Sequence, residues 1–147
     1  MTMNSGRVLA VSISREKGVR KNPVGSAELR ENYGIVSDAH AGEWHRQVSL
    51  LAFESIEKLQ GKGLRVSAGD FGENVTTLGI ELAALSVGAR IAVGESLLEV
   101  TQIGKECHTR CAIYREAGDC VMPREGIFAR VLIGGTVRPN DVVMVLI

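Results

Sequence analysis

The sequence predicts a mainly β fold, a closed or partly open β-barrel with one or two short helices, in a single domain over residues 1–147. Three observations carry that expectation. Seventeen glycines and only three prolines punctuate short runs rich in valine, isoleucine and leucine, the pattern of many short strands joined by tight turns. A chain of 147 residues can enclose one hydrophobic core without disulfides or metals. No internal repeat, low-complexity stretch or linker divides it, and many short strands in one domain close most economically into a barrel or sandwich.

The first strand is expected at Val8–Ser14, where Leu9, Val11 and Ile13 alternate with smaller or more polar neighbours, ending before the basic loop Arg15–Lys21. Residues 52–60 place Phe53, Ile56, Leu59 and Gln60 at helical spacing, and Gly61 suits the left-handed position that follows a helix. Gly69–Thr77 reads as a glycine turn entering a strand, with acid–base work by Asp70 or Glu73 as a minority alternative. Ala89–Val93 and Leu97–Ile103, joined by Gly94-Glu95-Ser96, read as a hairpin. Gly126–Leu132 is a second, shorter helix candidate, and the apolar run Asp141–Ile147 reads as a strand buried on both faces.

Composition removes several function classes. Lysine plus arginine balances aspartate plus glutamate at 17 each, so no overall field would hold the chain on nucleic acid or an anionic membrane. The amino terminus lacks the basic-then-apolar layout of a secretory signal, and no segment is long and apolar enough for a membrane span. Three cysteines is an odd count, which fits thiols kept reduced in the cytoplasm. There is no G-x-S-x-G elbow, G-x-G-x-x-G fingerprint or Walker-type loop.

The densest reactive cluster is Gly104–Cys111, with Cys120 nine residues on. Cys107 and Cys111 are four apart and share a face in either a helical or an extended backbone. Lys105, His108 and Arg110 lie beside them, and neighbouring cations favour the thiolate, which is a nucleophile, a sulfur carrier or a soft-metal ligand. Buried, inert cysteines are the plainer alternative. A zinc site from Cys107, His108, Cys111 and Cys120 is a second, though adjacent residues rarely both ligate one ion and no second paired motif follows.

A second cluster, Asp38–Gln47, sets His40 and His45 five apart before Arg46. It lacks the i, i+4 histidine pair of helical zinc proteases; such a turn suits an anion, a flat ring, a metal, or simply solvent. In Met122–Gly126, Arg124 stands just before the second helix candidate, where a helix amino terminus would favour a phosphate.

Taken in order, Asp38-x-His40-Ala41-Gly42, His45-Arg46-Gln47-Val48-Ser49-Leu50-Leu51, Gly69-Asp70-Phe71-Gly72-Glu73-Asn74-Val75-Thr76-Thr77, Val100-Thr101-Gln102-Ile103-Gly104-Lys105-x-Cys107-His108 and Met122–Phe128 resemble the stand-alone bacterial MOSC domain. That family is named for the carboxy-terminal domain of molybdenum cofactor sulfurases. The resemblance spans nearly the whole chain. It implies a MOSC-type barrel that carries sulfur as a cysteine persulfide or holds the molybdenum–pterin cofactor (molybdopterin).

Matching the family's basic-residue-then-cysteine motif to Arg110-Cys111 makes Cys111 the first choice for persulfide carrier or molybdenum ligand, with Cys107 next and Cys120 third, to resolve a persulfide through a transient disulfide. Lys17, Lys21, Arg46 and Arg124 are the cations expected to meet a pterin phosphate. His40, His45, Asn74, Lys105 and His108 complete the expected cofactor-binding set. Ser37 and Asn140 stand where the family pattern has glycine.

The leading expectation is a sulfur or molybdenum-cofactor carrier, with or without turnover as a sulfur transferase. The chain has no room for a desulfurase domain or a pyridoxal phosphate site, so a separate cysteine desulfurase or a molybdenum enzyme is the expected partner. The alternatives are a non-catalytic binding module for such an enzyme or its cofactor, and a molybdenum-dependent reductase of N-hydroxylated compounds.

Overall fold

The computed structural model describes residues 5–104 and 125–146. In chain order the strands are β1 (Ser5–Ile13), β2 (Asn22–Val24), β3 (Ala27–Arg30), β4 (Gly34–Ile35), β5 (Val48–Ala52), β6 (Val75–Leu78), β7 (Arg90–Val93), β8 (Ser96–Ile103), β9 (Ile127–Ile133), β10 (Gly135–Val137) and β11 (Val142–Leu146). Helix α1 (Phe53–Gln60) lies between β5 and β6, and a single 3-10 turn covers Leu82–Ala84.

The main sheet runs β11-β7-β8-β9-β5-β6-β1-β2, and a further pairing of β1 with β11 closes seven strands into a barrel. Strand β2 lies beside the far half of β1, and β10-β3-β4 form a small second sheet. The β5–β6 pair is parallel, which requires a crossover, and α1 supplies it. All five residues of β5 are buried: Leu50 packs into the barrel core with Val11, Val75 and Leu98, whereas Leu51 packs beneath α1 with Ile56, Leu59, Phe71 and Phe128. Burying a side chain such as Ile56 or Leu59 fully is worth roughly 1.5–3 kcal/mol, more than a helix of eight residues supplies for itself.

The expected hairpin is present, closed by two residues, Gly94 and Glu95, because Val93 pairs with Ser96. Four other expectations need correction. On β1 the buried residues are Val8, Val11 and Ser12, not an alternating Leu9, Val11 and Ile13, because a bulge between Val8 and Ala10 shifts the pairing with β6 and resets the alternation. Gly61 has φ −62° and is right-handed; the chain turns on until Gly63, at φ +91°, where Gly63 N–H bonds to the Gln60 carbonyl.

The proposed helix at Gly126–Leu132 is strand β9. Its Phe-Ala-Arg-Val-Leu-Ile run pairs with β5 on one side and β8 on the other, and two ladders of hydrogen bonds outweigh a weak helical pattern. Strand β11 is buried on one face only: Val143 is inside, while Val142 and Met144 are 55% and 46% exposed. A barrel wall has one interior face, so a continuous apolar run overstates burial. Ser37 and Asn140 adopt a left-handed backbone of the kind glycine takes most readily, at φ +74° and +75°.

Candidate functional site

The loop between β1 and β2 ends on Lys21, and the turn after β4 ends on Asp38; the left-handed Ser37 aims Asp38 back across the loop. Both side chains are fully buried, and Lys21 Nζ sits 2.9 Å from Asp38 Oδ1. Lys21 Nζ also donates to Ser14 Oγ at 2.9 Å and lies 3.1 Å from His40 Nδ1. Asp38 further accepts the Ser14 and His40 backbone amides, each at 3.0 Å. Burial by itself would raise the Asp38 carboxyl, but the His40 side chain beside it, the Lys21 hydrogen bond and charge, and the Ser14 amide outweigh it and hold the group well below the usual carboxylate range.

From this network a strip of touching side chains runs to one end of the barrel. Trp44 Nε1 donates to the His40 carbonyl at 2.7 Å, and its ring is parallel to the His40 ring. Lys17 Nζ lies 4.5 Å over the Trp44 ring, a cation–π contact. His45 meets Trp44 edge-on. Gln102 Oε1 then gathers His45 Nε2 at 2.9 Å and Arg46 Nε at 3.1 Å, which makes the His45 nitrogen a donor, while the Arg46 guanidinium lies 4.9 Å over Phe128. Among the described residues the Arg46 Nη groups make no ion pair. Beside the strip opens a cleft of about 520 Å³ lined by Trp44, His45, Thr101, Glu43, Glu99 and Arg130.

Gln102 stands at the end of β8, opposite Phe128 at the start of β9. The chain leaves the barrel there at Gly104 and returns at Gly126, whose carbonyl accepts the Gly104 amide at 2.6 Å. The connection between those points holds all three cysteines. Cys107, Cys111, Cys120, Lys105, His108 and Arg124 lie outside the described residues.

Of the sequence-predicted set, Lys17, Lys21, His40, His45 and Arg46 are brought into the strip. Lys21 commits its ammonium to Asp38, Ser14 and His40. Asn74 is placed apart, wholly buried in the wall, where Oδ1 accepts the Ser49 amide and hydroxyl and Nδ2 donates to the Ser12 carbonyl. Sequence reasoning missed Ser14, Trp44 and Gln102 and gave Asp38 no role. Trp44 is the chain's one tryptophan and sits between the two expected histidines, a usable signal; Gln102 meets partners 56 and 57 residues away, and no local pattern marks it.

The family model of the MOSC domain matches residues 37–144. The chain belongs to the MOSC domain family. Among solved structures, the MOSC chain is similar to the YuaD protein of Bacillus subtilis, with a TM-score of 0.80 at 19% identity over 96% of this chain and 95% of that one. It is also similar to YiiM of Geobacillus stearothermophilus (TM-score 0.73, 18% identity, 97% of this chain and 75% of that one) and YiiM of Escherichia coli (0.63, 18%, 96% and 70%). These likenesses establish a shared barrel. Among curated protein sequences none matches. No helix among the described residues is long and apolar enough to cross a membrane.

The MOSC family is associated with molybdenum cofactor binding. The described residues fit such a flat, phosphate-bearing group: Trp44 and His45 line an open cleft, and the strip they belong to carries the charges of Lys17 and Arg46. They include no group of three or more His, Cys, Asp or Glu placed to hold a metal ion.

Proposed function

We propose that this MOSC domain binds the molybdenum cofactor at the β8–β9 end of the barrel and carries sulfur, or ligates molybdenum, through a thiolate of the Lys105–Arg124 connection. The observation that supports this is the anchoring of that connection at Gly104 and Gly126, beside the Gln102 carbonyl on which His45 and Arg46 converge. Cys111 is the first choice for the thiolate, Cys107 the second, and Cys120 the resolving thiol. The cofactor, when bound, supplies a redox-active metal on a phosphate-bearing pterin. Arg46 and Lys17 hold the phosphate, Trp44 and His45 offer flat faces to the ring, and Lys105, His108 and Arg124 add positive or donor groups from the cysteine connection.

In sulfur transfer the thiolate attacks the outer sulfur of a persulfide on a cytoplasmic cysteine desulfurase. One S–S bond forms on this chain as the donor's S–S bond breaks, and the donor cysteine leaves as thiolate, with no net oxidation. Intact mass after incubation with a desulfurase and cysteine tests this. We expect a reductant-sensitive gain of about 32 Da, one sulfur atom, lost in Cys111→Ser and retained in Cys120→Ser. No gain in any variant, with Cys107 and Cys111 inert to alkylation, removes the carrier role and leaves a non-catalytic cofactor-binding module.

Arg46→Ala tests the cofactor half. A charge-assisted hydrogen bond is worth about 1.5–3 kcal/mol, so affinity for 6-hydroxymethylpterin monophosphate should fall roughly ten- to a hundredfold by calorimetric titration. Unchanged affinity would remove Arg46 from the site.

A further inference from the structure

His40 is the one member of the strip whose ring is held by a buried cation. Lys21 Nζ has three hydrogens and no lone pair. Two of them go to Asp38 Oδ1 and Ser14 Oγ, and the third faces His40 Nδ1 at 3.1 Å. The other polar atom near Nδ1, Asp38 Oδ2, is 3.7 Å away and beyond hydrogen-bond reach. Nδ1 must therefore accept, and the ring proton must sit on Nε2. The His40 side chain is 19% exposed, and among the described residues Nε2 has no hydrogen-bond partner. Stacking on Trp44, whose own Nε1 donates to the His40 carbonyl, fixes the ring plane.

We propose that Lys21 is a positioning residue which locks His40 in the Nε2–H tautomer, so that His40 presents a fixed hydrogen-bond donor to an acceptor oxygen of the ligand. The ligand identity rests on the cofactor reading above; the tautomer does not. On this assignment the buried cation of the basic loop does not touch phosphate at all. It sets the polarity of the histidine that does the recognising, and Lys17 and Arg46 supply the charge.

The chain has three histidines, so long-range proton–nitrogen NMR correlation on histidine-labelled protein resolves each ring, with His40→Gln assigning the His40 signals. The expected wild-type pattern is an unprotonated Nδ1 and a protonated Nε2. In Lys21→Met the preference should be lost, with a proton populating Nδ1. Because that variant strands the Asp38 charge, Lys21→Met/Asp38→Asn is measured beside it, each checked for a native backbone amide spectrum. Adding 6-hydroxymethylpterin monophosphate should shift the His40 Nε2–H signal.

A wild-type Nδ1–H tautomer, or an Nε2–H tautomer unchanged in the folded Lys21 variants, overturns the inference. Binding of the probe that moves Trp44 and His45 but not His40 overturns the donor role and leaves the cofactor reading standing. A probe that binds nowhere overturns the cofactor reading, and the tautomer still decides what Lys21 does.

Discussion

Asp38→Ala should destabilise the protein by about 3–5 kcal/mol in urea unfolding, the range for removing one partner of a buried ion pair. The variant leaves the fully buried Lys21 ammonium without its counter-charge and strips the acceptor from two backbone amides, Ser14 and His40. Since Ser14 follows β1 and His40 opens the Trp44 segment, the loss is also a loss of geometry. The Trp44 indole and the Lys17 contact above it depend on the turn that Asp38 holds. Lys21→Met/Asp38→Asn should recover most of the lost stability, because it leaves no buried charge unpaired. A single Asp38→Ala variant as stable as the parent would mean that the pair contributes nothing beyond what solvent supplies.

The same carboxylate fixes the acid limb of stability. Its folded value lies below the ordinary 3.8, so as pH falls through about 4 the unfolded chain takes up a proton that the folded chain refuses. The unfolded state then binds more protons and stability drops. The stabilisation is fully present above about pH 4 and is lost progressively below it. Asp38→Asn should flatten that limb, read as unfolding midpoints across pH 2–6.

How much of this the sequence announced follows from sequence distance. The β7–β8 hairpin was legible because strands and turn lie within fourteen residues, and α1 because its apolar spacing is local. The glycine-like turn at Ser37 and Asn140 showed as departures from a family pattern, and both backbones are left-handed. The bulge at Leu9 was invisible, since it is defined by the partner strand β6, more than sixty residues later. Strand β9 was misread because its pairing with β5 and β8 outweighs its own weak pattern.

At the site, the histidines and Arg46 stood out by residue type, and Lys17 and Lys21 by the basic loop. What they do there was not visible: Lys21 finds Asp38 across 17 residues and Gln102 finds Arg46 across 56. Asn74 shows the converse. Its polar motif drew attention, yet among the described residues its side chain bonds only to Ser49 on β5 and Ser12 on β1, bracing the barrel wall just before β6.

Glu73 should give the second large effect, with the opposite pH sign. It is buried without a lysine or arginine in ion-pair range among the described residues. Burial raises its carboxyl above the ordinary 4.5, only partly offset by hydrogen bonds from Thr76 Oγ1 and the Gly69 and Phe71 amides. Those bonds close the turn over which the Gly69 carbonyl accepts the Lys21 amide at 2.8 Å, so Glu73 supports the loop carrying the buried ammonium. Gly69 itself sits at φ +89°, where an added Cβ would come within 2.3 Å of the Lys21 carbonyl oxygen.

Glu73→Ala orphans three donors, each costing about 1–3 kcal/mol when buried and unpaired, and should destabilise by about 3 kcal/mol or more. For the parent, the raised folded value means that above about pH 4.5 the folded chain holds a proton the unfolded chain has released. Stability from this group therefore falls as pH rises from there. Glu73→Gln keeps an oxygen for Gly69 and Thr76, which share Oε2, and loses the Phe71 amide. It should start less stable than the parent at pH 4, and the gap should narrow as pH rises toward 8. A gap that widens over that range would show that the carboxylate is stabilised by its three donors more than burial penalises it.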